Sequence, residues 1–206
     1  MNRNGSNAHL LTAGASPSFS PDGTSLAVGG PQTGLNRYEL DIINLEGGGR
    51  HPIATDAAPY PHASWSPDGT QIAFVSFTRE QMDFPSIKRV RTDGSGENGV
   101  RVFGEDPAWS PTGSWIAYTD NGDRSLPTSV HVVRPNGGGD RTIAKLSGRD
   151  AAAGTWTPKA GRLVFTTFPA GHEGTDNQYG GGLWTVKANG HGAHPLPPCR
   201  AKTVRR

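Results

Sequence analysis

The sequence predicts an all-β fold, a β-propeller of about four four-stranded antiparallel blades. Three observations lead to it. An aromatic residue followed by a proline- and glycine-containing turn occurs four times, at intervals of 46, 44 and 47 residues. A short apolar run follows each copy, and a glycine-rich turn closes each unit. Glycine (29) and proline (17) are abundant in a 206-residue chain of which only 18% is charged, a balance that suits many short strands joined by tight turns. Hydrophobic content, 33%, is low for a globular chain. The apolar residues nevertheless recur in evenly spaced clusters, which a disordered chain does not need.

The four turn copies are Phe19-Ser20-Pro21-Asp22-Gly23, Trp65-Ser66-Pro67-Asp68-Gly69, Trp109-Ser110-Pro111-Thr112-Gly113 and Trp156-Thr157-Pro158-Lys159-Ala160-Gly161. Proline pre-sets φ for the turn and the aspartate bonds its own backbone. Glycine accepts the left-handed position, so Gly23, Gly69 and Gly113 are expected at positive φ. The runs that follow are Leu26-Ala27-Val28, Ile72-Ala73-Phe74-Val75, Ile116-Ala117-Tyr118 and Leu163-Val164-Phe165. Apolar on both faces, they read as strands sandwiched between neighbouring blades. A more alternating strand comes later in each unit, around 40–43, 87–90, 130–133 and 183–186, with one face expected toward solvent. The aromatic before each turn is expected to fill the wedge between adjacent sheets.

The aromatic-Ser-Pro-Asp-Gly-x-x-Ile-Ala-Phe pattern, with its later Asp/Asn-Gly-x-Gly turn, resembles the propeller repeat of the TolB family. The same repeat occurs in the propeller domains of prolyl-oligopeptidase-type peptidases. The resemblance covers residues 4–197. Two departures stand out: Thr112 replaces the turn aspartate in the third copy, and the fourth turn holds an extra residue. Both are expected to alter a turn without removing a blade. Residues 1–198 read as one domain, with repeats at about 13–54, 55–102, 103–148 and 149–197, and 199–206 as a basic tail. Residues 1–12 read as a partial outer strand of a preceding blade. The array is therefore expected to be incomplete or open, either a truncated piece of a larger propeller or a ring that closes with difficulty. Unpaired blade edges would then invite self-association.

Composition excludes several roles. Net charge is +2 and the basic residues are scattered, so no nucleic-acid partner is predicted. No stretch approaches the ~18 consecutive apolar residues of a membrane span, so no membrane insertion is predicted. The single cysteine, Cys199, cannot form a disulfide within the chain. The compartment is left open. The chain as written carries no export signal, while the resemblance implies a periplasmic or exported protein.

No catalytic signature is present. A Gly-x-Ser-x-Gly elbow is missing, and the peptidase resemblance covers a propeller alone. His172-Glu173 does not continue into a zincin motif, and His191 with His194 falls short of a metal ligand set. Cofactors and metals are accordingly predicted as none. The resemblance makes a channel cation conceivable, yet carboxylates at two of four equivalent loops supply too few oxygens.

What remains is a set of loops expected on one face of the ring. They carry Tyr60, His62, Arg79, Asp83, Phe84, Glu105, Asp106, Arg124, His172, Asp176 and Tyr179. Three residues before their aromatics, His62 and Asp106 occupy equivalent positions in adjacent blades and are expected at the channel mouth. Singly, such residues read as hydrated surface. As a group, mixed charges with exposed aromatics resemble a protein-contact surface. The leading reading is a non-catalytic scaffold for a protein partner. The alternatives are a lyase or hydrolase acting through His62, Glu105 and Asp106, or a fragment of a larger TolB-like protein.

Overall fold

The computed structural model describes residues 12–34, 37–45, 49–77, 84–121, 128–158, 161–170 and 181–197. Sixteen strands, with no helix among the described residues, make four antiparallel blades of four strands each. Blade 1 comprises β1 (Ala15–Phe19), β2 (Ser25–Gly34), β3 (Arg37–Asn44) and β4 (Arg50–Ala57). Blade 2 comprises β5 (Ser64–Trp65), β6 (Gln71–Ser76), β7 (Ser86–Arg91) and β8 (Asn98–Val102). A single bridge, Ala57 to Ser76, joins these two into one continuous sheet. Blade 3 comprises β9 (Gly104–Trp109), β10 (Ile116–Asp120), β11 (Ser129–Val133) and β12 (Arg141–Ala144). Blade 4 comprises β13 (Arg149–Trp156), β14 (Arg162–Pro169), β15 (Gly182–Lys187) and β16 (His194–Pro195). The chain divides into two compact units, residues 1–107 and 108–206, with the boundary inside β9. The outer strand expected over residues 1–12 lies outside the described residues, except for its last residue.

The first turn explains why Ser-Pro-Asp-Gly recurs. Ser20 Oγ donates to Asp22 Oδ1 at 2.6 Å, and the same oxygen accepts from Thr24 N–H (3.0 Å) and Thr24 Oγ1 (2.9 Å). Ser25 N–H donates to Ser20 Oγ at 3.0 Å, and Gly23 N–H to Ser20 O at 2.9 Å. The second turn reproduces every one of these bonds through Ser66, Asp68, Gly69, Thr70 and Gln71. Gly23, Gly69 and Gly113 have φ of 74°, 71° and 73°, as expected. Hydrogen bonds from Ser20 and Thr24 hold the Asp22 carboxyl below its ordinary pKa, and Ser66 and Thr70 do the same for Asp68. In the third turn Thr112 offers only a hydroxyl, 3.3 Å from Ser110 Oγ and 3.4 Å from Ser114 N. Thr157 and Arg162 close the fourth turn through each other, with Gly161 at φ 56°. Neither departure removes a blade.

Each unit has its own core. In the first, Ala27, Leu40 and Ile42 of blade 1 pack against Ile72, Phe74, Val90 and Trp65 of blade 2. In the second, Ala117, Val130 and Val132 of blade 3 pack against Trp156, Leu163, Phe165 and Val186 of blade 4. Two expectations need correcting. The third strands of blades 1 to 3 are not half-solvated: Leu40, Ile87, Val130, Val132 and Val133 are fully buried, whereas in blade 4 Leu183 is 52% exposed. The aromatic wedge also fails at Phe19, which is 65% exposed, whereas Trp109 and Trp156 are 8% and 7% exposed.

Two outcomes follow from this packing. Replacing Thr112 with aspartate should install the missing cap and raise the thermal midpoint by about 2–4 °C, the shift of about 1 kcal/mol in a chain this size. A midpoint that stays put or falls would remove the cap from the account of turn three. Trp156→Ala should cost about 3–5 kcal/mol in denaturant unfolding, since it empties a buried inter-blade site and orphans a hydrogen bond. A loss under about 1 kcal/mol would show that the ring is not a core element.

Candidate functional site

One end of blade 2 gathers Tyr60, His62, Phe84, Glu105 and Asp106. Ser76 at the end of β6 stands opposite Ser86 at the start of β7, and Ser86 opposite Val102 at the end of β8. Segments 58–63, 84–85 and 103–106 therefore emerge together with residue 77. Backbone bonds tie them down: Ala58 N–H to Val75 O (2.9 Å), Val75 N–H to Pro61 O (2.8 Å) and Gly104 N–H to Pro85 O (3.0 Å). Phe84 and Phe103 meet edge to face with centroids 4.9 Å apart.

His62 and Asp106 do come together. His62 Nδ1 lies 2.5 Å from Asp106 Oδ1, with side chains 48% and 32% exposed. Both residues hold left-handed backbone, φ 45° and 50°. The equivalent residue of blade 1, Ser16, does so too, at φ 48°, within a register break between Ala15 and Ser18. Left-handed non-glycine backbone is uncommon and costs of order 1–3 kcal/mol per residue. Close packing holds the His62 loop in place: a Cβ on Gly29 of β2 would stand 2.9 Å from Pro61 Cδ. The Asp106 hydrogen bond raises the His62 pKa above the ordinary histidine value. Partial burial opposes that rise, and the charges of Asp106 and Glu105 add to it. Tyr60, 67% exposed, stands on the same loop, and Glu105 is partly buried beside Asp106.

This geometry fixes one ring nitrogen of His62 on a carboxylate, an arrangement that orients an imidazole for binding or proton transfer. His62 makes no hydrogen bond to a hydroxyl, thiol or amine among the described residues. Nor is any group of three His, Cys, Asp or Glu side chains among them placed to hold a metal ion. Arg79, Asp83, Arg124, His172, Asp176 and Tyr179 lie outside the described residues. Two participants escaped the sequence reading. Ser16 could have been found by counting back three from Phe19, as for His62 and Asp106. Nothing in the sequence marks Phe103. At the other end of blades 1 and 2 lies a cleft of about 560 Å³, walled by Asp22, Pro21, Trp65, Pro67, Asp68 and His51.

Among the described residues no helix is long and apolar enough to cross a membrane. Residues 6–202 match the family described as TolB beta propeller domain. A curated relative, the Tol-Pal system protein TolB of Nitrosococcus oceani, is 36% identical over 59 residues, 29% of this chain and 13% of that protein. The structure is similar to that of putative TolB from Agrobacterium tumefaciens, with a TM-score of 0.72 and 20% identity, covering 88% of this chain and 64% of that one. TolB from Acinetobacter baumannii gives a TM-score of 0.72 at 17% identity, covering 95% of this chain and 47% of that one. This chain therefore spans less than two thirds of each of these relatives. At such identities the solved structures carry the fold alone, whereas the family match runs over nearly the whole sequence: the chain belongs to the TolB β-propeller family.

Proposed function

We propose that this chain is a non-catalytic binding module whose loop end at blade 2 engages a protein partner. One observation carries the reading: Tyr60 is largely exposed beside a histidine–carboxylate pair that is fixed on strained, packed backbone. An exposed aromatic flanked by oriented polar groups is the composition of a protein-contact centre. Strain retained at neighbouring equivalent positions is typical of sites selected for more than stability. Arg79 and Asp83 of the same blade would extend this surface, and Arg124, His172, Asp176 and Tyr179 are the corresponding candidates in blades 3 and 4. The family membership supports a protein-interaction role, and the family resemblance supports a periplasmic or exported setting.

The test is capture of partners from the source organism by the wild-type chain and by a Tyr60→Ala/Asp106→Ala double variant. The variant should lose at least about tenfold in recovery, the loss of one hot-spot pair. Equal recovery by the two chains would sink the reading.

The His62–Asp106 pair also predicts a pH dependence. Because folding raises the His62 pKa, its stabilising contribution is complete below about pH 6.5 and fades as pH climbs through the elevated value. In a histidine NMR titration His62 should titrate above the ordinary histidine value, and Asp106→Asn should bring it back down. A His62 midpoint indifferent to that substitution would refute the pairing.

A further inference from the structure

Blade-on-blade packing follows one pattern in both units. The earlier blade offers a receiving face of smaller residues, Ala27, Leu40 and Ile42 in blade 1 and Ala117, Val130 and Val132 in blade 3. The later blade inserts larger ones headed by its aromatic, Trp65 or Trp156. The polar contacts also recur. Trp65 Nε1 donates to Ser18 O at 3.0 Å and Trp156 Nε1 to Ala108 O at 2.9 Å, each carbonyl lying one residue before the receiving blade's own aromatic. Ala153 N–H of blade 4 donates to Thr119 Oγ1 of blade 3 at 2.9 Å.

Strand register carries the receiving positions onto blade 4. Val164 stands where Ala117 does, Thr166 where Thr119 does, Leu183 where Val130 does, and Thr155 where Ala108 does. Leu40, Ile87 and Val130 are 0% exposed, yet Leu183 is 52% exposed. Thr155 and Thr166 are exposed as well, and Val164 is half-buried. At the other end of the array, Phe19 holds the position of the inserting aromatics and is 65% exposed. Leu26, Val28 and Ile43 behind it are already buried, so the Phe19 ring is the part of that face which a partner meets. Blade 4 thus exposes a receiving surface, and blade 1 an inserting group.

We infer that the chain self-associates head to tail, the Phe19 ring of one copy packing on the Leu183–Val164–Thr166 face of blade 4 in a second copy. Such a contact is heterologous: each copy presents both halves, and the two halves differ. It lacks the indole N–H that Trp65 and Trp156 supply, and its receiving face has Thr185 where blades 1 and 3 have Ile42 and Val132. It is accordingly a weaker, dissociable version of the interface within each unit. Large apolar side chains exposed at the two complementary positions are the groups such a contact covers.

The experiment is a concentration series of the 206-residue chain by light scattering and sedimentation, with Leu183→Asp and Phe19→Asp variants. The wild type should gain mass with concentration, and each variant alone should remain monomeric. An equal mixture of the two should associate again, because Leu183→Asp retains the inserting ring and Phe19→Asp retains the receiving face. Unchanged circular dichroism and thermal midpoints establish that the variants fold, and Leu183→Gln with Phe19→Gln replaces any that do not. A wild type that stays monomeric, as closure of the face within one chain would leave it, overturns the inference. So does a variant that still associates, or a mixture that fails to recover association.

Discussion

A four-stranded sheet that is apolar on both faces cannot bury itself, and everything else in this chain answers to that constraint. Blade 1 buries Ala27, Leu40 and Ile42 only because blade 2 lays Ile72, Phe74 and Val90 across them. Blade 3 depends on blade 4 in the same way. The pairing of small against large lets two twisted sheets approach closely along their length. The indole hydrogen bonds of Trp65 and Trp156 then fix where along the strand the later blade sits. Apolar contact alone would allow sliding; a donor aimed at one carbonyl does not.

The turn between the first two strands serves that constraint from the other side. The aromatic at the end of the first strand must point into the neighbouring blade while the second strand turns back immediately. A single carboxylate oxygen accepting three hydrogen bonds, with a glycine at positive φ beside it, fixes both directions in five residues. The third and fourth turns dispense with the carboxylate and still place Trp109 and Trp156 in buried positions. Inter-blade packing therefore dominates, and the cap refines it.

This hierarchy explains what could be read in advance. The turns, the glycine conformations and the second strands were legible because each depends on residues adjacent in sequence. Side chains on the third strand were not. Asp41, Lys88, His131 and Trp184 face Val28, Phe74, Tyr118 and Phe165 in one common register, yet they have unrelated partners. Asp41 binds Arg50. Burial pulls the Lys88 pKa down, and the carboxylates of Asp56 and Glu97 more than restore it. His131 meets Tyr118 Oη, Thr142 Oγ1 and Asp140. These partners come from neighbouring strands, whose register no local pattern encodes. The exposure of Phe19 was hidden for a related reason: sequence equivalence to Trp65 and Trp156 identifies the role but not whether a face is there to receive it.

The candidate site sits where the two levels meet. Counting back from the aromatics identified His62 and Asp106 as equivalent, but not that both would adopt left-handed backbone or share a hydrogen bond. Three residues before the aromatic, the chain arrives from the outer strand of one blade and must turn into the inner strand of the next. Ser16, His62 and Asp106 make that turn at positive φ, whereas Ala153 of blade 4 does not, and histidine and aspartate tolerate that conformation better than β-branched residues. His62 and Asp106, of successive blades, share a hydrogen bond there. The strain at His62 is held by its neighbour Pro61, packed against Gly29 of blade 1. Inter-blade packing thus does two things at once: it closes the core, and it holds a polar pair in a conformation that the isolated loop would abandon.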